Sequence, residues 1–147
     1  MSTNDHNTAQ TSTHCLIIDD DQDDQEIFQM CLKKVNENIK VLAIDDPIEA
    51  VAMLRSDNTY TPNYIFLDVN MPKMNGIDCL RLLKNMERLN YTRIYMYSTT
   101  SDGDAVAKSK QLGAEDFIVK PTKTADLKEK LAKILDVVSN IDPVKTN

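Results

Sequence analysis

The chain has 147 residues, 41% hydrophobic and 27% charged, with 23 acidic against 17 basic side chains and a net charge of −6. That length supports one full-sized core but not two, in the composition range of soluble globular proteins. The acidic balance excludes a nucleic-acid face built on phosphate contacts, and no apolar run approaches the ~20 residues needed to span a bilayer.

Residues 1–13 (MSTNDHNTAQTST) lack both apolar periodicity and the charged-then-apolar order of a secretory leader. A disordered tail is expected there, and a cytoplasmic protein. Cys15, Cys31 and Cys79 are odd in number, widely spaced and set in apolar patterns. They fit reduced core thiols better than a disulfide framework or a metal site.

His14-Cys15-Leu16-Ile17-Ile18 reads as a short buried strand, ended by the acidic run Asp19-Asp20-Asp21-Gln22-Asp23-Asp24. From Asp23 the apolar period turns helical, with Ile27, Phe28, Cys31, Leu32 and Val35 on one face. Acidic residues in its first turn suit the positive end of the helix dipole. Residues 39–44 form the second strand. Asp46-Pro47-Ile48-Glu49 then opens a helix: Asp as N-cap, Pro at the first helical position, Glu three residues after the cap. Val51, Ala52 and Leu54 are its expected buried side.

Tyr64-Ile65-Phe66-Leu67 is aromatic and β-branched without polar alternation, the pattern of a strand covered on both faces. Asp68 ends it, and Met71-Pro72 stops regular structure, because proline has no N–H and pushes its predecessor out of the α region. Gly76 permits a tight start to the third helix, with Ile77, Leu80, Leu83 and Met86 spaced for one face. Arg93 to Tyr97 is the fourth strand, ending at Ser98. A helix follows from about Asp102 to Leu112, closed by Gly113. Asp116 to Val119 is the fifth strand and ends at Lys120-Pro121. The last helix is expected from about Thr124 to Val138, burying Leu127, Leu131, Ile134, Leu135 and Val138. The chain should fray beyond, so that residues 14–139 form the domain and 140–147 a tail.

Five strands alternating with five helices predict one parallel sheet covered on both faces. In such sheets ligands bind beyond the carboxyl ends of the strands, where the strand order reverses. Four of those ends carry Asp19 with Asp20, Asp68, Ser98 and Lys120; in the order 2-1-3-4-5, the Asp45 end of strand two falls at an edge. Three crowded carboxylates disfavour full ionisation unless a cation joins them. Their oxygens suit a hard divalent ion that keeps several waters, Mg²⁺ above all. A carboxylate beside such an ion can attack phosphorus, while Lys120 and the Ser98 hydroxyl offset charge on the outer oxygens. The nucleophile is expected to be Asp68, between the acidic pair and the Ser/Lys pair.

With Asp19-Asp20 after the first strand, Asp68-Val69-Asn70-Met71-Pro72 after the third and Lys120-Pro121 after the fifth, the sequence resembles the receiver domains of two-component response regulators, particularly single-domain ones. The resemblance covers about residues 14 to 139 and implies a flavodoxin-like (βα)5 three-layer sandwich with the 2-1-3-4-5 order. It implies that Asp68 accepts a phosphoryl group from a histidine kinase or histidine phosphotransfer protein, with no turnover beyond its own phosphorylation and dephosphorylation. Asp19, Asp20, Asp68 and the main-chain carbonyl of Asn70 would hold Mg²⁺. Ser98 and Phe117 would be the switch residues, Ser98 moving to the phosphoryl group and Phe117 packing into the space vacated. The fourth-helix, fifth-strand and fifth-helix surface would be read by a downstream protein target, as a monomer or weak homodimer, and the Lys120-Pro121 bond would be cis. With no output domain after the fifth helix, signal is expected to leave by protein–protein contact.

Thr99 departs from the small residue usual after the switch serine, and Asp21, Asp23 and Asp24 extend the acidic pair. Asp23 and Asp24 read as solvated helix-start charges. The Asp19-x-Asp21-x-Asp23 spacing imitates a calcium loop, but Asp24 and Met30 stand where glycine and glutamate are needed. Two other functions share parts of the pattern. A haloacid-dehalogenase-type phosphatase would use Asp19 as nucleophile and Asp21 as acid/base, though the chain has no room for a cap. A degenerate receiver would act as an adaptor without phosphorylation.

Overall fold

Buried strands without polar alternation need cover on both faces, and the chain supplies it by alternating them with helices. The computed structural model describes residues 13–144, those from 136 onward as helix backbone only. The elements are β1 (Thr13–Ile18), α1 (Gln22–Val35), β2 (Ile39–Ile44), α2 (Pro47–Ser56), β3 (Tyr64–Leu67), α3 (Gly76–Lys84), a 3-10 turn (Glu87–Leu89), β4 (Arg93–Ser98), α4 (Gly103–Gln111), β5 (Asp116–Val119) and α5 (Thr124–Val144). The tail expected over residues 1–13 lies outside the described residues except for Thr13, which opens β1. Beyond Val138, where the last helix was expected to end, α5 continues to Val144, since no residue before Pro143 breaks it. Of the tail expected over 140–147, residues 145–147 lie outside the described residues.

The sheet is parallel throughout, in the order β2-β1-β3-β4-β5. Ile18 pairs with Leu67, Leu67 with Met96, and Ser98 with Val119. Alternate side chains of each strand enter separate cores. On one face Leu16, Ile18, Ile65, Leu67, Ile94 and Met96 pack against α2 and α3 through Ala50, Leu54, Leu80 and Leu83. On the other, Cys15, Ile17, Phe66, Tyr95 and Tyr97 meet Phe28, Cys31 and Leu32 of α1 and Leu127 and Leu131 of α5. Phe66 stacks on Tyr95 at 5.3 Å between centroids, so aromatic area fills this second layer. All three cysteines are buried free thiols. Among the described residues no helix is long and apolar enough to cross a membrane.

Three local expectations are corrected. Ile27, assigned to the buried face of α1, is 40% exposed, because the helix buries Gln25, Phe28, Cys31 and Leu32 instead. In α2 the buried side runs through Ala50, Val51 and Leu54, and Ala52 faces solvent. A one-residue error in phase turns a helix by about 100°, enough to move an edge residue out of the core. The Lys120-Pro121 bond is trans, with no cis peptide among the described residues; trans is the intrinsically favoured isomer, and Lys120 reaches the rim from it.

Two glycines are fixed by geometry. At Gly113 the backbone after α4 takes φ 99°, a left-handed conformation that favours glycine. At Gly76 a Cβ would stand 1.9 Å from the Asp68 carbonyl oxygen and 2.7 Å from the Val69 Cα. The start of α3 is therefore pressed against the chain leaving β3. A Cβ at Gly103 would meet nothing within 4 Å. Gly76→Ala should lower stability by about 1–3 kcal/mol through overpacking against backbone, while Gly103→Ala should leave it unchanged or raise it by up to about 1 kcal/mol. Urea denaturation of the two variants checks this; equal effects would contradict it.

Candidate functional site

The ladder continues past the strands and brings their ends to one rim. The Asp68 N–H donates to the Ile18 carbonyl at 3.0 Å, the Asp19 N–H to Ile44 at 3.1 Å, and the Lys120 N–H to Ser98 at 2.8 Å. β1 lies between β2 and β3, so connections run in opposite directions from it and leave a crevice between the ends of β1 and β3. Helix starts then fix the loops around that crevice. Asp21 caps α1 by accepting from the Asp24 N–H, Asp46 caps α2, and Asn75 caps α3 by accepting from Ile77. The Gly76 N–H donates to the Val69 carbonyl at 2.7 Å. Across the same loop, Lys73 at φ 75° pairs with Asp46 at 2.8 Å.

Asp19 is fully buried, Asp68 is 6% exposed and Asp20 is open to solvent. Each offers a carboxylate oxygen, and the three atoms lie within 4.8 Å of one another. The Asp19 Oδ1 accepts from the Asp21 N–H at 2.9 Å, and its main-chain carbonyl accepts from the buried Gln25 side chain at 2.8 Å. The Asp68 carboxylate accepts from the Val69 N–H at 2.8 Å, and the buried Ser98 hydroxyl is among the groups that act on it. Burial raises the Asp19 pKa from 3.8 to about 6, against the opposing hydrogen bonds from Lys120 and Asp21. Burial also raises Asp68, against the pull of Lys120 and Ser98. Two reluctant carboxylates and an open third, all hard oxygen donors, fit a hydrated divalent cation of the Mg²⁺ kind.

Lys120 supplies the compensating charge. Its side chain is 8% exposed, and its ammonium lies 2.7 Å from Asp19, 2.7 Å from Asp24 and 3.9 Å from Asp68. It also stands over the Tyr97 ring at 5.3 Å from the centroid. Burial, the largest single influence, works to lower its pKa, yet the bonds to Asp19 and Asp24 outweigh it and hold the pKa above its usual range.

Asp19, Asp20, Asp68, Ser98 and Lys120, separated along the sequence, thus meet around one crevice. Asn70 and Thr100 border it where it opens into a cleft of about 630 Å³ between α3 and α4. Thr99 is exposed. Phe117 is not at the crevice: half-buried, it packs against the core on the α2 and α3 face. Sequence reasoning missed two neighbours, Asp24 and Gln25. Asp24 is not a free helix-start charge, since it grips Lys120. The clue was the phase of α1: Asp24 and Gln25 lie four and three residues before Phe28, hence on the same face.

Because folded Asp19 holds its proton more tightly than the unfolded chain does, the stability this group contributes is complete below about pH 4 and lost as pH rises through about 6. In metal-free buffer, Asp19→Asn should therefore gain on the wild type by about 3 kcal/mol between pH 4 and pH 7.5. Urea titrations at the two pH values measure it, and a difference that stays flat would contradict the assignment.

Comparison with known proteins places this geometry. The response regulator receiver domain profile matches residues 15–132. The chain is 33% identical over 124 residues to the chemotaxis protein CheY of Pseudomonas aeruginosa, covering 84% of this chain and 97% of that one. It is 32% identical over 117 residues to the two-component response regulator ORR13 of rice, Oryza sativa subsp. japonica, covering 80% and 93%. Among solved structures it is similar to the phosphorylated cyanobacterial phytochrome response regulator RcpA, with a TM-score of 0.76, 25% identity and coverage of 84% and 91%. The Mn²⁺-bound response regulator Rcp1 matches with a TM-score of 0.74, 25% identity and coverage of 83% and 91%. The chain belongs to the response regulator receiver domain family of two-component systems.

Proposed function

We propose that residues 14–139 form a phosphorylation-driven switch in which Asp68 is the phosphoacceptor. The observation that carries this reading is the meeting of Asp68 with a buried ammonium, a buried hydroxyl and two further carboxylates at one sheet edge. An Asp68 carboxylate oxygen attacks the phosphorus of a phosphohistidine on a histidine kinase or histidine phosphotransfer protein. An O–P bond forms, the P–N bond breaks, and its electron pair returns to the imidazole nitrogen. Asp19, Asp20, Asp68 and the main-chain carbonyl of Asn70 would hold Mg²⁺, which supplies charge neutralisation between carboxylate and phosphoryl group. Lys120 balances a second phosphoryl oxygen, and the buried Ser98 hydroxyl at the end of β4 would donate to a third. The likeness to RcpA, solved in its phosphorylated form, and to Rcp1, solved with Mn²⁺ bound, supports both halves of this chemistry.

Ser98 drawn to the phosphoryl group would empty space beside β4, and Phe117 would repack from its half-buried position. The surface of α4, β5 and α5 would then present a changed face to a downstream protein target, with the chain acting in the cytoplasm as a monomer or weak homodimer. Catalysis is confined to the protein's own phosphorylation and its hydrolysis. The haloacid-dehalogenase-type alternative is disfavoured at Asp21, whose carboxylate is occupied in capping α1 rather than free as an acid/base.

Incubation with acetyl phosphate and Mg²⁺, followed by intact mass, should show one added phosphoryl group, with acetate leaving. The adduct should vanish in Asp68→Ala and on chelation of the metal. An adduct that persists in Asp68→Ala, or that disappears in Asp19→Asn while surviving in Asp68→Asn, would overturn the assignment.

A further inference from the structure

Asp24 is the residue the family chemistry does not account for. It sits in the first turn of α1, its N–H fixed by Asp21 at 3.1 Å, where the helix dipole favours a negative charge. Its carboxylate reaches across to β5 and takes the Lys120 ammonium at 2.7 Å, as close as Asp19 holds it and well inside the 3.9 Å that separates Lys120 from Asp68. An ammonium has three N–H donors; one is donated to Asp24, and the ion pair with Asp19 keeps the ammonium nearer these two acids than the phosphoacceptor.

The two holds differ in what happens next. Asp19 belongs to the carboxylate trio, so a divalent cation there offsets its charge. Asp24 is outside the trio and keeps its full negative charge when the cation arrives. It then remains as competitor for Lys120, one ammonium away from the point where an incoming phosphoryl group brings further negative charge. We propose, resting on the phosphoacceptor reading above, that Asp24 is a positioning residue that restrains Lys120 and slows phosphoryl gain at Asp68. At 31% side-chain exposure its field is partly screened but not lost.

Such a restraint has a signature that loss of a structural contact lacks. Removing the charge should speed phosphorylation while weakening binding of Mg²⁺ alone, since the same negative charge repels the phosphoryl group and attracts the cation. Initial rates of adduct formation from acetyl phosphate at saturating Mg²⁺, and calorimetric titration with Mg²⁺ in the absence of donor, are measured for wild type, Asp24→Asn, Asp24→Ala and Asp24→Glu. Asp24→Asn and Asp24→Ala should react about tenfold faster than wild type and bind Mg²⁺ about threefold more weakly. Asp24→Glu, which keeps the charge, should stay within about twofold of wild type in rate, and added salt should narrow the gap between it and Asp24→Asn. A phosphorylated wild type with Asp24→Asn and Asp24→Ala no faster refutes the restraint alone, as does Asp24→Glu matching Asp24→Asn. A wild type that accepts no phosphoryl group refutes the function proposed above, and the restraint with it.

Discussion

A buried ammonium between buried carboxylates is the contact on which the rest of the molecule turns. Asp19 is fully buried with its pKa pushed up, and Lys120 is nearly so. Neither could occupy its place without the other, because an isolated buried ion is costly and breaking a buried pair leaves an uncompensated charge. The pair joins β1 to the end of β5 across β3 and β4, the full width of the site. Asp68 lies 3.9 Å from the ammonium, close enough to feel Lys120 and too far to be bound tightly by it.

The remainder of the fold serves that arrangement. Parallel pairing sends five strands out at one edge, and the reversal of direction at β1 opens the crevice between Asp19 and Asp68. Gly76 lets α3 begin directly against the Asp68 carbonyl, so the loop carrying Asn70 is short of freedom and pinned again by Lys73 on Asp46. The buried carboxylates among the described residues, Asp19 and Asp68, stand where strands end, and burial there keeps them poised toward accepting a cation or a proton.

Much of this was readable in the residues. An apolar strand stopped by an acid, repeated at Asp19 and Asp68, locates the rim, and Asp46-Pro47 locates a helix start to the residue. These signals survive because they depend on local chemistry: capping, chain reversal, the cost of a carboxylate in a strand. What was lost depended on packing at the margin of a helix face. Periodicity gives α1 an apolar stripe but not its edges: it includes Ile27, which is 40% exposed, and says nothing of Gln25, which the Asp19 carbonyl draws in. Asp24 was hidden for a different reason. Its partner is nearly a hundred residues away in sequence, and the many acids around it made one more charge look ordinary.

The central claim is that Asp19, Asp20 and Asp68 form a single cation-binding hole beside Lys120. Titration of the ¹⁵N-labelled protein with substoichiometric Mn²⁺ tests it most directly, through the distance-dependent loss of amide signals. The account predicts loss confined to the residues around the ends of β1 and β3 and the Lys120 turn, reversed by excess Mg²⁺. Loss centred elsewhere, or none at Asp68 and its neighbours, would contradict it.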